Sequence, residues 1–202
     1  MITTIIFDLG KVIIGFDHFA ICKKLAEHST RSAEQIYSGI FSCGLEDRFD
    51  RGAISPELFF RTAAGELEIR IGMAGFRNIW RAGFSLNTGT AGIISRLSGR
   101  YRLLCLSNTN QWHFQYCAAR FPVLECFDSF VLSYEIGEKK PAAKIYAEAL
   151  RRARCPAREC LYIDDIAEFV QAAEGLGMRG IHFVSAQMLA RKLHDMGILD
   201  DR

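Results

Sequence analysis

From residue 101 onward, short apolar runs alternate with stretches of helical periodicity. YRLLCL (101–106) predicts a buried strand, followed by a helix over about 110–120. SFVL (129–132) predicts a short strand. The spacing of Ile145, Ala149, Leu150 and Ala153 then predicts a helix at 141–154, with Pro141 in its first turn. CLYI (160–163) predicts another strand, closed by Asp164 and Asp165 and followed by a helix that runs to about 176 and stops near Gly177. GIHFV (180–184) and a last helix with Ser185 as N-cap complete the series. Such alternation predicts a parallel sheet with helices on both faces. The continuous apolar runs suit strands covered on both sides. TTIIF (3–7) reads as a further strand of the same sheet, far removed in the chain.

The intervening segment has a different rhythm. Phe19, Cys22, Leu25 and Ala26 recur at helical spacing, as do Ile36, Ile40 and Phe41. Ser55-Pro56 is an N-cap followed by proline at the first helical position, opening a helix with Leu58, Phe59 and Thr62 on its apolar side. Met73, Phe76, Ile79, Trp80 and Phe84 form another stripe, SLNTGT (85–90) has linker composition, and a helix follows at 90–98. The fold class is therefore α/β, a Rossmann-like doubly wound parallel sheet with a small helical cap inserted after strand 1. Residues 1–14 plus 88–202 form the core domain and residues 15–87 the cap. The stripes of the insertion read as packing between its helices rather than as a ligand pocket.

Bulk properties narrow the function classes. At 202 residues the chain suits one domain with an insertion. A net charge of +2 is too near neutral to point to nucleic acid or an acidic membrane surface. No apolar run approaches the ~18 residues of a spanning helix. Asp8 and Lys11 interrupt the N-terminal run, against a signal peptide. The seven cysteines are odd in number and form no CxxC pair, so mostly buried, reduced thiols in a cytoplasmic protein are expected. No HxxxH is present, against a zinc site. The expected state is monomer or homodimer, with a small molecule as partner.

Three apolar runs end in residues with chemical potential: Asp8 after TTIIF, Ser107-Asn108 after YRLLCL, and Asp164-Asp165 after CLYI. Ligands of open parallel sheets bind beyond the carboxyl ends of the strands. If the first strand lies between the other two, the three ends converge, although spacing alone leaves the order open. Converging carboxylates repel and call for a cation, and hard oxygen donors suit Mg²⁺. Gly10, having no side chain, lets a backbone carbonyl come close. Lys140 is placed to supply a compensating charge. Taken singly, each residue has a plainer reading: a turn or helix cap for the aspartates and Ser107-Asn108, a solvated surface group for Lys140. Their joint order along the chain is the signal.

That order resembles the haloacid dehalogenase-like (HAD) hydrolase superfamily. IIFDLGKVI matches its first motif with one departure, LLCLSNTN its second, GEKKPAAKIY its third and LYIDDIAEFVQAAEGLGM its fourth. FDLGKV, LSNTN and KPAAKIY are most similar to the branch of sugar-phosphate phosphatases acting on glucose-1-phosphate. The phosphatase half of bifunctional epoxide hydrolases is more distant. The resemblance implies Asp8 as a nucleophile that carries a phosphoryl group, and Mg²⁺ held by Asp8, the Gly10 carbonyl, Asp164 and Asp165. It also implies Ser107 and the Asn108 amide as phosphate-binding groups, Lys140 as the stabiliser of charge, and a small phosphorylated metabolite as substrate.

The pattern breaks in two places. Most superfamily phosphatases carry an aspartate two residues after the nucleophile, which protonates the leaving oxygen; here that residue is Gly10. Such acid–base help is worth ~10²–10⁴-fold. A good leaving group can reduce the need for it, or a group such as His18, Asp17, Glu46, Asp47 or Arg48 can substitute. In the fourth motif, Ile166 and Phe169 stand where relatives often have polar residues, which weakens support for the metal. Two further readings therefore stand beside the phosphatase: a protein that binds a phosphorylated ligand without turnover, and a dehalogenase, whose chemistry needs no metal-binding Asp pair.

Overall fold

The computed structural model describes residues 1–200. The chain opens with β1 (Thr4–Phe7) and a short β2 (Ile14–Gly15), then enters α1 (His18–Ala26), α2 (Ala33–Tyr37) and a π-helical turn at Ser38–Ser42. Next come α3 (Leu45–Asp50), α4 (Pro56–Glu66), α5 (Met73–Trp80) and a short β3 (Ser85–Leu86). The remaining chain alternates: α6 (Thr88–Leu97), β4 (Arg102–Ser107), α7 (Gln111–Arg120), β5 (Ser129–Leu132), α8 (Ser133–Ile136), α9 (Ala143–Ala153), β6 (Cys160–Asp164), α10 (Ala167–Gly175), β7 (Arg179–His182) and α11 (Ala186–Asp195).

The parallel sheet has the order β5-β4-β1-β6-β7. β1 is thus central, with Ile5 opposite Leu103 on one side and Leu161 on the other. Side chains alternate between two cores, as strand geometry requires. Ile5, Phe7, Leu103, Cys105, Leu161 and Ile163 face one core, which also takes Ile93 and Ile94 of α6 and Leu189 and Leu193 of α11. Ile6, Leu104, Leu106 and Tyr162 face the other, against Ile145, Tyr146 and Ala149 of α9 and Ala173 of α10. Each fully buried Ile or Leu here contributes ~1.5–3 kcal/mol.

A third core lies among the inserted helices. Phe59 is its centre, packed against Phe49, Phe76, Trp80 and Trp112 with ring centroids 4.4, 5.9, 4.8 and 6.1 Å away. Trp112, from α7, is the contribution of the sheet-bearing part to this core.

Several expected boundaries shift. Ser85-Leu86 is not linker: it pairs antiparallel with Ile14-Gly15, so the two crossings into the inserted helices run side by side. The next helix begins at Thr88, earlier than expected, because the Asn87 side chain accepts the Thr90 amide and caps it. Pro141 lies before α9, whose N-cap position is Ala142; the Ala142 amide bonds the Lys139 carbonyl at 2.9 Å and closes a turn there. Leu58 is exposed rather than packed, and Phe84 packs on the sheet side. The edge strand β7 is half open, with Arg179 and His182 exposed, so double covering applies only to the inner strands. All seven cysteines are free thiols, and Cys22, Cys105, Cys117 and Cys160 are buried while Cys43 is exposed. No helix among the described residues is long and apolar enough to cross a membrane.

Phe59→Ala should lower unfolding free energy by about 3–5 kcal/mol, the cost of emptying a large buried ring site. Leu58→Ala, one residue away on the exposed side, should change it by less than about 0.5 kcal/mol. Urea denaturation of both variants checks the assignment; equal losses would contradict it.

Candidate active site

Because β1, β4 and β6 are parallel neighbours, their carboxyl ends open on the same edge of the sheet. Asp8 follows β1, Ser107 ends β4 and Asp164 ends β6. The Asp8 amide still bonds the Ile163 carbonyl at 2.8 Å, which ties the first carboxylate to the neighbouring strand. Ligand oxygens of Asp8, Asp164 and Asp165 lie within 4.8 Å of one another, a cluster of hard donors able to hold a divalent cation. The Gly10 carbonyl accepts the Val12 amide at 2.7 Å in the turn that follows β1, and a second lone pair remains on it.

Lys140 reaches this cluster from the loop before α9. Its Nζ donates to Asp8 Oδ1 and to Asp164 Oδ2, both at 2.6 Å, and to the Leu106 carbonyl at 3.3 Å. The side chain is 2% exposed, those of Asp8 and Asp164 7% and 0%. At an effective dielectric of ~20, the Coulomb attraction of each contact, before desolvation, is about 6 kcal/mol. Desolvation costs several kcal/mol per ion, so the group is stable only when complete. Burial alone would depress the Lys140 amine, but Asp8 and Asp164 outweigh it and hold it above its usual value. Burial pushes the Asp8 carboxyl up to about 7 against the pull of Lys140, with Asp164 adding to the rise. Burial, then Asp164, also raises Asp165, and Lys11 opposes them.

Asn108 positions Lys140 rather than only facing solvent. Its Oδ1 accepts the Lys140 amide at 2.8 Å and its Nδ2 donates to the Lys140 carbonyl at 3.2 Å, a reciprocal pair that fixes the loop's backbone. Ser107 is buried and lines a small cavity beside the acidic cleft. Asp164 Oδ1 accepts the Ile166 amide at 2.9 Å, a local turn that aims the carboxylate. The two unexpected residues of the fourth motif sit close by. The Phe169 ring lies 5.2 Å from Lys140 Nζ, a cation–π contact, and Ile166 lines the cleft.

Sequence reasoning missed several participants. The Tyr162 hydroxyl donates to Asp164 Oδ2; as the residue two before Asp164, it shares that side chain's face of β6. Lys139, beside Lys140, points the other way, towards α3, and meets Asp50 Oδ2 at 3.2 Å, Asp47 Oδ1 at 3.3 Å and Glu46 Oε2 at 3.8 Å. Asp50 is buried, and its Oδ1 accepts from Asn110 Nδ2 at 3.0 Å. Asn110 also caps α7 and donates to His113 Nδ1 at 3.1 Å, leaving Nε2–H to bond the Trp80 carbonyl at 3.1 Å. Burial pushes His113 down to about 4, so the ring is neutral, as that bonding requires. The Lys-Lys doublet was the visible hint; Asp50 carried none.

The five acid–base candidates separate. Asp17 caps α1, accepting from the Phe19 and Ala20 amides. Asp47 is bonded to Arg51 and Lys139, and neither it nor Arg48 lines the cleft. His18 is stacked between Phe16 and Phe41 at the smaller cavity. Glu46 lines both spaces.

The family model described as haloacid dehalogenase-like hydrolase matches residues 2–177. The chain is 25% identical over 185 residues to the D-ribitol-5-phosphate phosphatase of Bacteroides thetaiotaomicron, covering 88% of this chain and 89% of that one. It is 32% identical over 157 residues to the glyceraldehyde 3-phosphate phosphatase of Methanothermobacter thermautotrophicus, covering 70% of this chain and 67% of that one. Its fold is similar to that of a HAD family enzyme of Bacteroides thetaiotaomicron solved with magnesium and inorganic phosphate. The TM-score is 0.83 at 22% identity, over 92% of this chain and 96% of that one.

Lys140→Met should cost about 3–5 kcal/mol of stability at pH 8 without divalent cations, because two buried carboxylates lose their counter-charge. At pH 5 the Asp8 carboxyl takes up a proton, since burial raises its folded pKa to about 7, above the unfolded value, and the loss should shrink. Urea titrations at both pH values decide; equal losses would show that packing, not charge, explains the effect.

Proposed function

The chain belongs to the haloacid dehalogenase-like hydrolases, and from that premise we propose that it is a Mg²⁺-dependent phosphatase of a small phosphorylated metabolite, most plainly a sugar or polyol phosphate. The observation that carries the reading is the Lys140 ammonium bridging Asp8 and Asp164, with Asp165 beside them, at the ends of adjacent parallel strands. Two relatives named as phosphatases of phosphorylated three- and five-carbon compounds support the substrate class.

In this proposal an Asp8 carboxylate oxygen attacks phosphorus and takes the phosphoryl group, and water then releases it. Lys140 holds Asp8 in place and offsets charge on the transferring group. Ser107 and the Asn108 amide bind phosphate oxygens. Asp8, the Gly10 carbonyl, Asp164 and Asp165 are the groups that would hold Mg²⁺. Three clustered carboxylates with one ammonium leave an excess of negative charge that such an ion satisfies. When bound, it supplies Lewis-acid neutralisation of the phosphate. Residues 15–87 are assigned as the cap, which excludes bulk water and selects the leaving group; residues 1–14 plus 88–202 form the core.

A phosphate-binding protein without turnover is the alternative that Gly10 favours. The purified protein should release phosphate from p-nitrophenyl phosphate and from a panel of sugar and polyol phosphates with Mg²⁺, and not with excess chelator. Asp8→Asn should remove at least about 10³-fold of the rate, since without a nucleophile no covalent route remains. Tight binding of inorganic phosphate with no turnover of any substrate would establish the alternative.

A further inference from the structure

Two spaces meet at this site. The acidic cleft, about 220 Å³, is lined by Asp8, Lys140, Asp164 and Asp165. The smaller one, about 70 Å³, has an apolar wall of Leu9, Ile14, Phe16 and Phe84 and a polar side that includes His18, Ser107 and Thr109. Only Gly10, Phe16, Glu46, Asp50 and Asn108 line both. With phosphate in the cleft, reaching Asn108 at the junction and Ser107 just inside the smaller space, and the organic group further into that space, the bridging ester oxygen falls at that junction.

The position beside Gly10 is crowded by a neighbouring ring. A Cβ built there would meet Phe16 Cε1 at 2.9 Å, so an acid at residue 10 would need the Phe16 ring to move. Of the two acids at the junction, Asp50 is committed: its carboxylate oxygens accept from Asn110 and Lys139. Glu46 meets Lys139 at the longer distance of 3.8 Å and lies beside the Asp50 carboxylate, whose charge favours a proton on Glu46. We infer that Glu46, delivered from α3, is the general acid and base that Gly10 cannot be, a role that rests on the phosphatase reading.

As an Asp8 oxygen bonds phosphorus, the phosphorus–oxygen ester bond breaks and its electron pair stays on the leaving oxygen. That oxygen takes the proton of the Glu46 carboxyl, giving a neutral alcohol and a Glu46 carboxylate. In the second half, Glu46 takes a proton from the attacking water while the hydroxyl oxygen bonds phosphorus and the bond to Asp8 breaks, which restores both residues. Burial, then Asp50, pushes Glu46 up to about 8, with Lys139 opposing and Asp47 adding to the rise. His18 faces it across the smaller cavity. A carboxyl that is protonated near neutrality suits this work.

The test is a series of substituted phenyl phosphates, from p-nitrophenyl phosphate to phenyl phosphate, with Mg²⁺, comparing wild type with Glu46→Gln. The poorer the leaving group, the more the proton matters. Glu46→Gln should lower kcat/KM for phenyl phosphate by about 10²-fold or more and for p-nitrophenyl phosphate by under about 10-fold, steepening the dependence on leaving-group pKa. In the wild type, which needs no variant to fold, the ratio of phenyl to p-nitrophenyl kcat/KM should fall above about pH 8. A uniform loss across the series, no loss at all, or a flat wild-type ratio would overturn the role of Glu46 while leaving the phosphatase standing. Absence of Mg²⁺-dependent turnover of even p-nitrophenyl phosphate by the wild type would overturn both.

Discussion

A single buried ammonium holds the site together. Lys140 bonds Asp8, 132 positions away in the chain, and Asp164, 24 positions away, and neither carboxylate has appreciable contact with solvent. Such a group is costly to leave incomplete, because each charge was removed from water on the expectation of the others. The surrounding structure is arranged accordingly. Tyr162 donates to Asp164, the Phe169 ring faces the ammonium, and Asn108 clamps the backbone that carries it. The polar residues named by the family motifs and the apolar Phe169, which breaks them, serve the same charge.

The loop that bears Lys140 faces two ways. Lys139 turns to α3 and draws Glu46, Asp47 and Asp50 to it, while Arg51 reaches Glu138 at 2.8 Å. Ser133 adds a bond from its hydroxyl to the Asp50 carbonyl at 2.6 Å. Adjacent lysines thus tie the acidic cluster of Asp8 and Asp164 to α3. Holding a charged side chain in one position needs such support, and here charge pairing contributes to it.

The missing aspartate has a steric counterpart. Phe16 lies against the face of Gly10, so the substitution and the aromatic ring form one arrangement rather than a simple deletion. The apolar space beside it also takes Phe84, which was read as part of the helical insertion but packs with the sheet. That space is therefore lined by side chains from both sides of the chain crossing made by β2 and β3.

How far each feature could be read in advance follows from the distance over which its cause acts. Alternation in TIIF, LLCL and LYID, the Ser55 and Ser185 caps and the helical stripes all arise from neighbours two to four residues apart, so strands, helices and their polar ends were legible in the residues themselves. The order of motifs likewise named Asp8, Ser107, Asn108, Lys140, Asp164 and Asp165. The position of β1 between β4 and β6 was not legible, because hydrogen bonding between strands carries no local mark. Nor were Tyr162 and Asp50, while Glu46 stood only as one of five acid–base candidates. A buried-looking tyrosine and two acids on a short helix are ordinary until the folded chain sets them beside charges from elsewhere, and only then do desolvation and pairing give them chemistry.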